Sequence, residues 1–232
     1  MEKLDTTGRR ALMAGASGLV GRALLTRILH DADYAQVISL GRRVLPSDFD
    51  AGSTTRPQGH GLSLEERIVD FAHLPPMPAI DDVFIALGTT IKVAGSQQGF
   101  RAVDFDAVLA TARAGLAAGA TRLGVVSAMG ANARSSVFYN RVKGEMEEAV
   151  AALGYTCVVI ARPSLIEGDR AALQQPGRSG EALGLRLAHM AKPFLPRNLK
   201  SIPAAAIAEG LLSRIKAGAP GVQVVASGDL QR

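Results

Sequence analysis

The fold of this chain is decided near its start by the stretch Ala11-Leu12-Met13-Ala14-Gly15-Ala16-Ser17-Gly18-Leu19-Val20-Gly21-Arg22-Ala23-Leu24-Leu25. A short apolar run comes first, three glycines follow in the spacing G-x-x-G-x-x-G, and apolar residues then recur at helical intervals. This order predicts a buried strand, a tight turn and the start of a helix. The first N–H groups of such a helix, together with the positive end of its dipole, bind phosphate groups. We therefore expect a phosphate-binding turn.

Each glycine of this turn has its own expected role. Gly15 allows the tight turn, Gly18 lets the backbone approach a pyrophosphate, and Gly21 lets the helix pack close to the strand. The spacing has one more residue between the first two glycines than the G-x-G-x-x-G pattern of standard dinucleotide-binding domains. Because 25 of the 232 residues are glycine, the residues alone also allow an ordinary strand-to-helix turn here.

A second motif lies in Tyr139-Asn140-Arg141-Val142-Lys143, which places a phenol and an ammonium one helical turn apart on the same face. Ser127 precedes this motif by twelve residues and directly follows the apolar run 122–126. Parallel sheets present reactive groups at the carboxyl ends of their strands. Ser127, Tyr139 and Lys143 are therefore the expected catalytic residues. The alternative is a half-buried helix tyrosine beside a solvated lysine.

These three residue types suit the reduction of a carbonyl group, or the reverse oxidation of an alcohol. Tyr139 would donate a proton to the carbonyl oxygen, and Ser127 would hydrogen-bond the same oxygen as charge develops on it. An ammonium about 4 Å from a phenol, at an effective dielectric of about 20, favours the phenolate by about 4 kcal/mol. Lys143 is expected to supply that field.

Several segments, in this order along the chain, resemble the short-chain dehydrogenase/reductase superfamily, specifically its atypical branch, the branch of the Tat-interacting protein. The segments are 15–21, 87–90 with 94–96, 103–106, 127–131, 139–145 and 162–164. The family often has two serines where this chain has Ser127-Ala128, so Ser127 alone would supply the hydroxyl.

The resemblance implies an α/β fold of the Rossmann type, a doubly wound parallel sheet with a small C-terminal extension on the substrate side. It implies one domain over residues 1–232, with 164–220 as the variable substrate-side portion. The implied function is an NADP(H)-dependent oxidoreductase that transfers a hydride to or from a small organic carbonyl or alcohol. Two alternatives stay open: a non-catalytic regulatory protein that binds NADP(H), and a sugar-nucleotide epimerase or dehydratase.

The choice between NADP(H) and NAD(H) depends on the pair Arg42-Arg43, which follows the apolar run 37–40 about twenty residues after the last glycine of the turn. NAD sites place an acid there to bind the ribose 2'-hydroxyl, whereas arginine suits a 2'-phosphate. NADP(H) is therefore expected, and two solvated loop arginines are the alternative. The resemblance adds that Lys143 holds the nicotinamide ribose hydroxyls. The expected cofactor-binding residues are Gly15, Ser17, Gly18, Leu19, Val20, Gly21, Arg42, Arg43, Asp70, Phe71, Leu87, Gly88, Thr89, Tyr139, Lys143, Arg162 and Pro163.

Composition excludes several other classes of function. The net charge of +5 comes from dispersed lysines and arginines, and only 4% of the residues are aromatic, with no Trp, so no nucleic-acid partner is expected. The four histidines lack paired ligand spacing, which argues against a metal site, and the single Cys157 rules out an internal disulfide. Neither an apolar span of bilayer length nor a convincing targeting segment is present, so we expect no membrane association and a cytoplasmic location. A small-molecule substrate is the expected partner, and a protein partner or a homo-oligomer stays open.

Apolar runs and glycine positions also predict most of the elements. Strands are expected at 10–14, 37–40, 65–71, 81–88, 122–126, 156–161 and 222–225. Helices are expected at 99–119, 136–153 and from 202 to about 212, and a long loop at 46–66.

Overall fold

The structure is a computed structural model that describes residues 8–45, 62–167, 198 and 200–231. Its strands are β1 (Arg9–Ala14), β2 (Tyr34–Gly41), β3 (Ser63–Ile68), β4 (Asp82–Ile85), β5 (Arg122–Val126), β6 (Cys157–Arg162), β7 (Ile166–Glu167), β8 (Ile202–Pro203) and β9 (Gly221–Ala226). Its helices are α1 (Leu19–Leu29), α2 (Ile91–Ala94), α3 (Gln97–Arg101), α4 (Val108–Ala117), α5 (Phe138–Ala151), α6 (Ala204–Ala217) and α7 (Ser227–Leu230). A π-helical turn, Ala102–Ala107, joins α3 to α4.

Seven of the strands form one sheet in the order β3-β2-β1-β4-β5-β6-β9. Every neighbouring pair is parallel. The sheet therefore grows from β1 in both directions, with β2 and β3 on one side and β4 onwards on the other. This is the doubly wound α/β fold that the sequence predicted.

Alternate strand residues point to opposite faces of this sheet, and each face is covered by helices. Met13 and Val159 lie in a buried cluster with α1 and α6. Their neighbours Leu12 and Val158 lie in a second cluster with α4 and α5. Each fully buried large aliphatic side chain contributes about 1.5–3 kcal/mol, so these two clusters hold the helices on the sheet.

A buried carboxylate ties the amino-terminal ends of three strands together. Asp82 of β4 has no exposed side-chain surface, and it accepts hydrogen bonds from Arg9 Nε of β1 at 2.6 Å and from the Tyr34 hydroxyl of β2 at 2.7 Å. A buried charge is tolerated only when it is paired and hydrogen-bonded. This network therefore aligns the strands at the edge opposite the carboxyl ends.

The element bounds differ from the sequence predictions where tertiary contacts decide them. The strand expected at 65–71 is observed as β3, which ends at Ile68, and the strand expected at 81–88 ends at Ile85, where its pairing with β1 stops. The helix expected at 99–119 is divided by the π-helical turn. The expected Pro-started helix is α6, which begins at Ala204 with Pro203 as its N-cap and continues to Ala217, where Gly218 ends it at φ +63°. Residues 46–61 of the expected loop lie outside the described residues, as do residues 168–197 and 199 of the expected substrate-side portion.

Candidate functional site

A cleft of about 1040 Å³ crosses the carboxyl ends of the parallel strands. It is lined by the glycine turn after β1, by the ends of β2 to β5, by the first turns of α5 and by residues that follow β6. The glycine turn lies where the order of the strands reverses, between β2 and β4. Open α/β sheets bind their ligands at this switch point.

The three glycines of the turn differ in how close a Cβ at each position would come to neighbouring atoms. Gly15 has φ +92°, and a Cβ on it would lie 2.5 Å from the Ala86 carbonyl carbon. A Cβ on Gly21 would lie 1.9 Å from the Gly15 carbonyl oxygen. Both glycines are therefore needed by the fold itself. A Cβ on Gly18 would come no closer than 3.5 Å to the Gly15 oxygen, an ordinary contact, so the protein alone leaves room for a side chain there.

Helix α1 begins directly at this free space. Gly18 is its N-cap, no side chain caps the first turn, and no acid lies in that turn. The first N–H groups of a helix have no partner within it, and the helix dipole favours an anion at this end. The space over Gly18 therefore suits a pyrophosphate, which is the group that the sequence predicted for it. Ser17, Leu19 and Val20 line the cleft beside it.

The other expected cofactor residues are distributed along the same cleft. Arg42 and Arg43 are exposed and line it where β2 ends. Asp70 and Phe71 line it beyond β3. The N–H of Ala72 and, to a smaller extent, His73 lower the pKa of the exposed Asp70 carboxyl. Leu87, Gly88 and Thr89 after β4 and Pro163 after β6 also line the cleft.

Two of the expected cofactor residues do not line the cleft. Gly21 is buried where α1 packs on the turn, the packing role that was expected for it. Arg162 donates its guanidinium hydrogen bonds to the buried Glu147 of α5, and this partner raises the pKa of Arg162. Arg162 therefore joins β6 to α5 in this arrangement.

The three expected catalytic residues line one end of the cleft. Ser127 follows β5, the residue is 5% exposed, and its Oγ has no hydrogen-bond partner among the described residues. Tyr139 lies in the first turn of α5, where its ring packs at 5.3 Å, centroid to centroid, from the ring of Phe100. A buried hydroxyl without a partner costs free energy. The Ser127 hydroxyl is thus suited to a ligand group.

Lys143 has a partner that the sequence analysis did not assign to the site. Its Nζ lies 2.8 Å from Oδ1 of Asp104, and both side chains are almost completely buried. A carboxylate this close opposes the field that Lys143 by itself would exert on Tyr139. Asp104 was noted only as part of a family-like segment. The available signal was the position of Asp104, four residues from both Phe100 and Val108 on the face predicted to pack on the sheet, since buried acids need a partner.

Comparisons with known proteins agree with this geometry. Protein HTATIP2 of Rattus norvegicus is 33% identical over 78% of this chain and 71% of its own length. The chain belongs to the atypical short-chain dehydrogenases/reductases related to HTATIP2. The mitochondrial protein fmp52 of Aspergillus fumigatus is 36% identical over 73% of this chain and 70% of its own length. No family model matches the chain.

Solved structures show the same fold at low sequence identity. MoeE5 in complex with UDP-glucose and NAD has a TM-score of 0.65 at 17% identity, and the match covers 95% of this chain and 79% of MoeE5. A short-chain type dehydrogenase/reductase from Mycobacterium ulcerans has a TM-score of 0.63 at 16% identity, with 99% of this chain and 92% of the other covered. The chain therefore has a Rossmann-type α/β fold.

The expected cytoplasmic location is wrong. Fungal relatives of this chain are named as mitochondrial proteins. The physical reason for the error is that composition and core packing specify a fold, whereas compartments are specified by short address segments that receptors read. In the part of the chain that the structure describes, no helix has the length and hydropathy needed to cross a membrane.

Proposed function

We propose that this protein is an NADP(H)-dependent oxidoreductase that reduces a small organic carbonyl or oxidises the corresponding alcohol. The observation that carries the proposal is that Ser127, with its buried and unpartnered hydroxyl, lines the same cleft as Tyr139 and Lys143. The same cleft is lined by Gly18, over which the protein leaves free space, and by the exposed Arg42-Arg43 pair. One cleft thus combines a place for a dinucleotide with a proton donor.

Each residue has a separate task in this proposal. The N–H groups of the first turn of α1 hold the pyrophosphate, Arg42 and Arg43 bind the 2'-phosphate, and Lys143 holds ribose hydroxyls. When bound, NADP(H) supplies or accepts the hydride. Tyr139 donates its proton to the carbonyl oxygen as the carbon gains the hydride, so one C–H and one O–H bond replace the second C–O bond. Ser127 hydrogen-bonds that oxygen as negative charge develops on it.

Single-substitution kinetics with NADPH and a panel of ketones and aldehydes test the proposal. Tyr139→Phe keeps the ring that packs on Phe100, so NADPH affinity is expected to stay within about threefold. Turnover is expected to fall about 10²-fold or more, the usual effect of losing a positioned acid. Tyr155→Phe is the matched control, because Tyr155 is buried outside the cleft and donates its hydroxyl to the Ala112 carbonyl. Its turnover is expected to equal the wild-type value.

Two results would change the proposal. A substrate that Tyr139→Phe converts at the wild-type rate would remove Tyr139 from the reaction. NADPH binding without turnover of any carbonyl, with a protein partner recruited equally by wild type and Tyr139→Phe, would favour the non-catalytic regulator. The sugar-nucleotide alternative has no comparable support, since neighbours solved with sugar nucleotides resemble this chain in fold alone and are longer than it.

A further inference from the structure

We propose that Asp104 is a positioning residue that sets the charge at the reactive end of the cleft. By pairing with Lys143 it makes this end a neutral ion pair, so that neither the oxidised nor the reduced cofactor is strongly favoured. The inference rests on the proposed function, and it concerns how that site binds the two forms of its cofactor.

The geometry of Asp104 is that of a fixed partner. Oδ1 lies 2.8 Å from Lys143 Nζ, with the side chains 1% and 4% exposed. Oδ2 accepts a hydrogen bond from the Thr89 N–H at 2.9 Å. A Cβ on Gly88 would lie 3.5 Å from Oδ1, so the carboxylate is packed against the chain that leaves β4. Asp104, Lys143, Gly88 and Thr89 all line the cleft.

Asp104 lies in the π-helical turn Ala102–Ala107. Such turns are rare and occur frequently at functional sites, because one extra residue re-aims the side chains that follow. Here the turn lies between Phe100, which packs on Tyr139, and α4 on the sheet. The π-helical turn therefore carries a carboxylate that contacts both Lys143 of α5 and the Thr89 N–H beyond the end of β4.

A neutral pair matters because the charge of the cofactor changes during the reaction. The nicotinamide ring is uncharged when reduced and carries a positive charge when oxidised. A lone buried ammonium beside it would disfavour the oxidised form, since charges in a water-poor site are weakly screened. Asp104 compensates Lys143, which can still donate hydrogen bonds to hydroxyl groups. Lys143 can thus bind the cofactor without making the site bind the reduced form much more tightly than the oxidised form.

The test is the ratio of the dissociation constants for NADP⁺ and NADPH, measured by calorimetry without substrate. Contacts to the atoms that NADP⁺ and NADPH share affect both dissociation constants equally and cancel in this ratio. The ratio therefore reports how the site responds to the positive charge on the oxidised nicotinamide ring. Asp104→Asn leaves a net cation at the pair and is expected to raise the ratio about tenfold. Lys143→Met leaves a net anion and is expected to lower it by a similar factor. A unit charge acting over about 10 Å at an effective dielectric of about 20 changes an equilibrium by about this much.

The double variant Asp104→Asn, Lys143→Met separates charge from structure. It is neutral, as the wild type is, so its ratio is expected to return to within about threefold of the wild-type value although it lacks the ion pair. Glu148→Gln removes an exposed acid from α5 that does not line the cleft, and solvent screening is expected to limit its effect to less than twofold. Circular dichroism confirms the fold of each variant.

The outcomes are distinct. Opposite shifts in the single variants with cancellation in the double variant would establish the inference. If Asp104→Asn does not fold, the inference is tested by the other two variants. It is then supported by a ratio that is lower than the wild-type value in Lys143→Met and close to the wild-type value in the double variant. Equal ratios in all folded variants, or shifts of the same sign in both single variants, would overturn the role of Asp104 while the proposed function stands. Failure of the wild type to bind either dinucleotide would overturn the proposed function and this inference together.

Discussion

Alanine at Gly18 and alanine at Gly21 add the same methyl group to one turn, yet we expect opposite phenotypes. Gly18→Ala should fold and lose cofactor affinity, because the space above Gly18 is free in the protein and is assigned to the pyrophosphate. Gly21→Ala should lose stability, because its Cβ would lie 1.9 Å from the Gly15 oxygen and 2.7 Å from the Gly15 carbonyl carbon. The pair therefore separates a glycine that serves a ligand from one that serves the fold.

The expected stability changes follow from these distances. At Gly18, φ is −81° and the nearest atom would be at 3.5 Å. The weaker N-cap costs roughly 0.5–1 kcal/mol, and the smaller freedom of the unfolded chain offsets about as much, so the free energy of unfolding should change by less than about 1 kcal/mol. At Gly21 the backbone itself would have to move. The cost in free energy of unfolding is therefore expected to exceed the roughly 1–3 kcal/mol that extra atoms usually cost in a well-packed core. About 3 kcal/mol or more corresponds to a Tm lowered by roughly 6–12 °C.

Thermal unfolding with and without NADPH measures both effects. At a cofactor concentration about 100 times the wild-type Kd, binding should stabilise the wild type by about 2.7 kcal/mol. A tenfold weaker Kd in Gly18→Ala would reduce this gain to about half, and Gly18→Val, whose branched side chain fills more of the same space, should show no gain. The assignment of Gly18 fails if folded Gly18→Ala keeps the full gain, or if it loses as much stability as Gly21→Ala without cofactor.

Two further predictions follow from charged contacts. Alanine at both Arg42 and Arg43 should remove a preference for NADPH over NADH of roughly tenfold or more, because each charge-assisted hydrogen bond to a 2'-phosphate contributes about 1.5–3 kcal/mol; equal affinities in the wild type, measured by titration, would end the case for this pair. Tyr34→Phe should lower the free energy of unfolding by about 1.5–3 kcal/mol, and Tyr155→Phe by about 0.5–1.5 kcal/mol, because Tyr34 donates to the buried Asp82 carboxylate and Tyr155 to a neutral carbonyl. Burial and the Asp82 charge also raise the pKa of Tyr34 above its ordinary value, so stability should fall as the pH rises above about 10, where only the unfolded tyrosine ionises. Urea unfolding of the two variants at pH 7 measures their losses of stability, and equal losses would contradict the predicted difference. Urea unfolding of the wild type at pH 7 and at pH 10.5 measures the expected fall in stability at high pH.

The sequence by itself determined the fold class and the family. The glycine turn at 15–21 and the apolar runs are local patterns, and the structure confirms the parallel, doubly wound sheet that they predicted. Tyr139 and Lys143 are four residues apart on one helix, so their common face also follows from helical geometry. Ser127 joins them because parallel strands end at one edge. These inferences needed only short-range periodicity and the rules of strand connection.

Tertiary structure alone decided which charges are paired and which glycines are free. Asp104 and Lys143 lie 39 residues apart along the chain, and their contact at 2.8 Å depends on a π-helical turn and on how two helices pack on the sheet. Arg162 is held by Glu147 in the same way. The sequence motif does not distinguish the role of Gly18 from that of Gly21. Only the positions of the Gly15 and Ala86 backbone atoms show that a side chain fits at Gly18 and not at Gly21. The physical reason is that local patterns specify which elements form and which face each buries, whereas contacts between distant residues arise only when those elements are packed against one another.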